Sequence, residues 1–325
     1  KKYKNNQINQ KYMNNGDIMK KYSILLFLIL IIFIAGCKQD DNGTPAGTFI
    51  GGTEGLKISF VNLAPPSSFS QDDQVSLRIL LTNKGETRIQ TGNAKARIFG
   101  VNLENFGLQN IYKSNLGPIE AQGEFTATGG EQEINFGQIR YSPSIINQES
   151  FTLRARLCYP YQTLVKTDVC VQSLISQESQ LEVCSLTGEK VVSGSVSGAP
   201  VQVTSITEQT RGNDQVRIDI KIENKGLGEV YSIDSRCEDL DDDIKRFDNK
   251  DKIKIKVKSP LDVKCGFRTG EPSSEGFVTL DENKATTLSC WKNVNEPIVD
   301  KLDLQLDYLY RDQATKQIII YQKRR

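Results

Sequence analysis

Apolar and polar side chains alternate with a period of two through much of this chain. The pattern is strictest where Val216, Ile218, Ile220 and Ile222 interleave with Arg217, Asp219, Lys221 and Glu223. Such alternation puts successive side chains on opposite faces, so this segment is a strand with one face buried and one wet. It opens at Asp214-Gln215-Val216 and stops at Asn224-Lys225-Gly226. An earlier segment opens at Asp73-Gln74-Val75 and stops at Asn83-Lys84-Gly85, and the offset between the copies, Asp73 to Asp214, stays constant from end to end. Asn and Gly tolerate the left-handed backbone that reverses a chain, so each copy predicts a strand ending in a turn. The offset is domain-sized, whereas a solenoid repeats with a period of about 20–50 residues. Two homologous β-domains are therefore expected.

Further alternating runs fill both halves. The first domain, 56–172, has strand patterns at 56–63, 94–101, 132–138, 150–159 and 167–172. The second, 200–325, has them at 201–207, 252–257, 262–267, 276–280, 286–291, 301–310 and 317–321. Leu302, Leu304, Leu306, Tyr308 and Tyr310 share one face of a strand. Short strands divided by Gly, Asn and Pro turns, with no long helical period, define an all-β chain of two tandem antiparallel Ig-like β-sandwiches. Residues 173–199, mixing Ser, Gly, Gln and Glu, read as the linker. Residues 102–130, with Phe106, Leu108, Ile111 and Tyr112, form a long connection that is either a functional loop or an extra edge strand over one face.

The start of the chain has a different character. Residues 1–18, rich in Lys, Asn, Gln and Tyr, read as an untranslated or disordered extension before Met19. Lys20 and Lys21 precede an apolar run at 24–36 that would span about 20 Å as a helix, short of a bilayer core of roughly 30 Å. Residues 19–36 are therefore a secretion signal, with an uncleaved anchor helix as the alternative. Ile34-Ala35-Gly36-Cys37 resembles the lipobox of prokaryotic lipoproteins. That resemblance implies that Cys37 becomes the mature N-terminus and carries a paired-chain lipid, which holds a protein on a membrane. The glycine-rich residues 37–55 are a flexible tether, and Asn42-Gly43-Thr44 within them is a glycosylation sequon.

Charge and composition narrow the chemistry. With 41 basic and 40 acidic side chains the net charge is +1, which gives no footprint for nucleic acid. Histidine is absent, and with it the commonest general base and metal ligand. No nucleophile elbow or phosphate-cradling glycine loop occurs, so a non-enzymatic chain without a cofactor is expected.

Seven cysteines less Cys37 leave six, an even number that in an exported chain implies disulfides. Cys158 and Cys170 flank Tyr159-Pro160-Tyr161-Gln162-Thr163, read as a hairpin turn that brings them together. The accompanying expectation pairs Cys265 with Cys290, and Cys184 with Cys237. Tyr159 and Tyr161, at the expected tip, are either hairpin packing or ligand contacts. In the acidic run Glu238–Asp243, Asp239, Asp241 and Asp243 alternate as calcium ligands do, but Ile244 and Lys250 stand where the calcium loop has glycine and glutamate. The competing reading is a solvated loop balanced by Lys245, Arg246, Lys250 and Lys252.

The run from Val75 to Gly85 resembles the early strand of adhesion-related (CARDB) immunoglobulin-like domains on prokaryotic surfaces. Together with the lipobox, Gly52-Thr53-Glu54-Gly55-Leu56, Arg156-Leu157-Cys158-Tyr159-Pro160-Tyr161 and the second Asn-Lys-Gly domain, it resembles archaeal surface lipoproteins of tandem β-sandwich design. The resemblance brings no catalytic residues. It implies a lipid-anchored protein on the outer face of the cytoplasmic membrane, acting as envelope spacer or partner-binding and adhesion module. Its partner would be another envelope protein or a surface glycan. A substrate-capture lipoprotein serving a transporter, or a surface hydrolase, is the alternative.

Overall fold

The structure, a computed structural model, describes residues 48–123, 128–172, 184–212, 214–259, 262–267, 270–294 and 298–323. Among them the chain is mostly antiparallel β-sheet with one short α-helix. One sheet joins β1 (Leu56–Phe60), β3 (Val75–Asn83) and β6 (Glu131–Ile139). A second joins β8 (Val201–Arg211), β9 (Gln215–Asn224), β14 (Ala285–Asn293) and β12 (Lys264–Cys265). The two copies of the sequence repeat are β3 and β9. Each is central in its sheet.

Both sheets pack in sandwich-like fashion on a third, eight-stranded one. Its axis is a ribbon of β7 (Gln148–Val171) and β15 (Ile298–Tyr321), each 24 residues long and antiparallel without a register break. β4 (Lys95–Phe99) and β5 (Lys113–Ser114) extend the sheet beyond β7. On the other side, β15 is bordered by β11 (Lys252–Val257) with β13 (Glu275–Thr279), by β10 (Glu229–Ser232), and by β2 (Ser68–Ser70).

The ribbon corrects the expected turn at 159–163 and the expected break in the last strand. Pro160 lacks an N–H, so a strand tolerates it only where no ladder bond is needed. The N–H of Ile319 donates to Ser67 and that of Lys166, opposite Asp303, donates to Ser195, so odd-numbered residues of β15 and their partners turn their backbone groups outward. Pro160 faces Leu309 in this register and lies beyond Cys158, where pairing with β4 stops. Its nitrogen therefore points out of the ladder, and the strand continues. The consequence is an exchange of strands between the two halves. Ile318 and Ile320, late in the chain, are buried where β15 runs beside the start of β7 and beside β2, while Val165 and Val169 of β7 are buried beside Leu304 and Leu302 of β15, with Val165 bridged to Val196.

At the crossing, Tyr159 and Tyr161 of β7 lie opposite Tyr310 and Tyr308 of β15, and all four are buried. The Tyr161 hydroxyl donates to Asn83 Oδ1 at 3.2 Å and accepts from the Thr87 N–H. The Tyr310 hydroxyl donates to Asn224 Oδ1 at 3.5 Å and accepts from the Gly228 N–H at 2.7 Å. The repeat is thus matched at contact level: each Asn-Lys-Gly turn is held by a buried tyrosine. Tyr159 and Tyr308 accept in parallel fashion from the first N–H of β1 and of β8, at Leu56 and Val201. Burial raises the pKa of all four phenols, so they stay protonated and able to donate. The aromatic pair expected at a hairpin tip is therefore the packing of a junction.

All six cysteines are paired, as Cys158–Cys237, Cys170–Cys184 and Cys265–Cys290. The last agrees with the sequence expectation. The other two correct it, and β7 gives the reason. Cys158 and Cys170 are 170 − 158 = 12 residues apart on one uninterrupted strand, about 40 Å at 3.3 Å per residue. Each instead takes a partner from a segment that passes beside it, Cys237 at the middle of the strand and Cys184 at its end.

Candidate functional site

The outer face of the eight-stranded sheet, opposite the cores, carries a row of guanidinium groups. Arg97 on β4 pairs with Arg156 on β7, and Arg311 on β15 lies one pleat along, opposite Cys158. Each lies over an aromatic ring: Arg97 over Tyr112 at 5.4 Å, Arg156 over Phe99 at 4.5 Å, Arg311 over Tyr231 at 4.9 Å.

Across this row lies the segment 233–250, which contains the acidic run and α1 (Asp243–Asn249). It is clamped by Cys158–Cys237 and by a small separate core of Tyr231, Leu240 and Leu309. Asp241 projects into the arginines, 2.7 Å from Arg97 and 3.2 Å from Arg156, and accepts from the Tyr112 hydroxyl at 3.0 Å. Burial and the Asp241 charge push the Tyr112 hydroxyl up to about 12. Burial, then Arg311 and Arg97, lowers the Arg156 guanidinium. Glu229 takes Arg311 at 2.5 Å; burial raises this carboxyl, but the Arg311 hydrogen bond and charge outweigh it and hold it below the usual range.

The three carboxylates of the calcium pattern diverge. Asp239 goes to Arg236 and Lys245, Asp241 to the arginine row, and Asp243 to Arg246. Among the described residues no group of three metal-binding side chains converges. Asp242 caps α1, accepting from the N–H groups of Ile244 and Lys245, both at 3.0 Å. The connection 102–130 supplies edge strand β5, buries Phe106 and Leu108, and delivers Tyr112 to Asp241. Cys37, Asn42 and the apolar run 24–36 lie outside the described residues. Among the described residues no helix is long and apolar enough to cross a membrane.

Beside the arginine row, β15 has an uncovered edge. β10 ends with Glu229 opposite Arg311, and β2 begins with Ser68 opposite Ile319. Among the described residues no strand is hydrogen-bonded to 312–318 on that side, although β1 packs close to β15 and Lys57 attracts the Asp312 carboxylate. At the β10 end of this notch is a cavity of about 250 Å³ whose charged lining is Arg156, Arg311, Glu229 and Asp312. That falls short of the roughly 300 Å³ at which small-molecule sites begin. The arginine row was missed because its members sit at residues 97, 156 and 311, and only the strand register brings them together. The signal present was arginine at outward positions of otherwise alternating strands.

A second buried ionisable group lies in the other half. Glu208 on β8 accepts from the Cys170 N–H at 2.8 Å and pairs with Lys190 at 3.2 Å. Burial pushes its carboxyl up to about 7, against the pull of Lys190 and the Cys170 N–H. The folded state therefore holds a proton that the unfolded chain releases near pH 4.5. This contribution to stability is complete below that pH and is lost as pH rises through about 7. Urea midpoints should show the protein less stable at pH 8 than at pH 5 by up to about 3 kcal/mol from this group. Glu208→Gln should flatten that dependence.

No family model matches the chain, and no curated protein is significantly similar to it. Weak likeness to solved structures includes the following two. Escherichia coli alpha-2-macroglobulin activated by porcine elastase is 7% identical, with 82% of this chain and 33% of that one covered and a TM-score of 0.16. Collagen adhesin (CNA) from S. aureus is 8% identical, with 85% and 95% covered and a TM-score of 0.12. The chain spans about a third of the length of the first.

Proposed function

We propose that this chain is a non-enzymatic, lipid-anchored protein of the cell surface, a partner-binding module held on the membrane through Cys37. The observation that supports this reading is the outer face. Beside the covered arginine row runs a stretch of sheet edge, 312–318, with which no strand pairs among the described residues. Exposed edges invite pairing with another chain, and folded proteins that do not use them usually cover them. The spliced ribbon suits this role, because a module carried by two interlocked sandwiches resists being pulled apart.

A photo-crosslinking residue at Gln313, compared in cells with one at the exposed Thr287 of β14, tests the reading. Gln313 should yield one identified envelope protein and Thr287 none. Equal yields from both positions, or none from either, would sink it. Lipid labelling should be lost in Cys37→Ser.

A further inference from the structure

The uncovered edge is a row of backbone groups as well as a gap. Because odd-numbered residues of β15 turn their N–H and C=O away from β7, those of Gln313, Thr315 and Gln317 face the notch. Asp312 occupies the first of these donors, accepting from the Gln313 N–H at 2.7 Å. The N–H groups of Thr315 and Gln317 face the notch in the same way, and both residues are exposed. The gap runs from 312 to 318, 318 − 312 + 1 = 7 residues, or about 23 Å of strand. It is closed at both ends by strands already in the sheet, so a segment of that length would fill it and restore a continuous line from β10 to β2.

The inner side of the notch selects what enters. Lys316 alternates with the buried Ile318 and Ile320 and sits opposite Leu153, so its stem points toward the sandwich interior. Among the described residues no carboxylate pairs with it, and burial lowers its ammonium from the usual value. An inward-pointing lysine discourages indiscriminate edge pairing, since an apolar strand laid beside it would bury the charge unpaired. A carboxylate at the residue directly opposite has its Cβ about 5 Å away and satisfies it.

We propose that residues 312–318 form a strand-addition site for an extended peptide with an acidic side chain opposite Lys316. The proposal rests on the partner-binding reading and names the partner's chemistry. The probe is a fluorescent seven-residue peptide of alternating valine and threonine with glutamate as its third residue, which falls opposite Lys316 when the peptide fills 312–318 antiparallel to β15, set against the same peptide with lysine there, read by anisotropy on the whole mature chain. The glutamate peptide should bind at least ten-fold more tightly. Thr315→Pro removes a donor that faces the notch and no bond to β7, so it should weaken binding at least ten-fold with an unchanged melting temperature. Lys316→Glu leaves the backbone intact and should invert the preference, which keeps the proposal testable if the proline variant misfolds. Equal affinity for both peptides, binding that survives Thr315→Pro in a folded protein, or no binding at millimolar peptide overturns it. Should the peptides fail while Gln313 still crosslinks one partner, strand addition falls and the partner-binding reading stands. Peptide binding without a cellular crosslink has the opposite meaning: the strand site stands and the partner-binding reading falls.

Discussion

A fragment ending at residue 172 is expected to show no cooperative thermal transition, although it holds every strand that the internal repeat assigns to the first domain. Within it β7 has lost β15 along all 24 paired positions. The inner row of Leu153, Ala155 and Leu157 then has a bare strand edge beside it where Ile318 and Ile320, both fully buried, would have continued the apolar face. Burying one isoleucine contributes about 2 to 3 kcal/mol, and a whole domain has a margin of about 5 to 15. Losing two such side chains and a central ladder leaves nothing to fold for. The remedy follows from the register: Tyr161 lies opposite Tyr308, so a two-residue Asn-Gly turn can join 48–161 directly to 308–323 as a hairpin. That grafted chain should regain a cooperative transition by circular dichroism. A fragment 48–172 that melts cooperatively on its own would show that the strand exchange is dispensable.

The strands themselves were legible because alternation is local. β3, β9 and β11 follow their hydrophobic pattern closely, and the repeat marked two strands that hold matching interior places in their sheets. What escaped depends on partners distant in sequence. Tyr159-Pro160-Tyr161 looks like a turn when proline is judged alone, and it becomes strand once β15 fixes which way the missing N–H points. The cysteine pairing followed the turn into error, whereas Cys265 and Cys290 needed no such inference. The acidic run carries cation ligands by composition, yet the cations that claim Asp241 are Arg97 and Arg156, which reach it from two strands in the other half of the chain. β2 and β10 are too short to show a period, and the notch exists only because they cover β15 incompletely. The site was therefore invisible to pattern, although each strand beside it was not.

Gly85→Ala is expected to cost about 3 kcal/mol or more, a fall of roughly 6 to 12 °C in melting temperature for a body of this size. Glycine here answers to close approach. A Cβ at residue 85 would overlap the Tyr161 hydroxyl and stand 2.5 Å from the carbonyl oxygens of both Glu54 and Gly198. Gly226 is the equivalent in the second Asn-Lys-Gly turn, where a Cβ would overlap the Tyr310 hydroxyl and lie 2.8 Å from Pro200 Cβ. The two sites differ in what can yield. At 226 the worst overlap is with a hydroxyl that phenylalanine lacks, so Tyr310→Phe with Gly226→Ala should cost less than the sum of the two single variants by at least about 1 kcal/mol. At 85 the backbone oxygens stay whatever residue 161 is, so Tyr161→Phe should recover little of the Gly85→Ala loss. Urea denaturation of the six variants gives both coupling energies. Equal coupling at the two turns, or a Gly85→Ala loss no larger than the roughly 0.5 kcal/mol of an ordinary surface change, would mean that the tyrosines do not hold the repeat in the way its contacts indicate. A large coupling at 226 beside a small one at 85 would show that one sequence motif, used twice, is held by the same side chain against different surroundings.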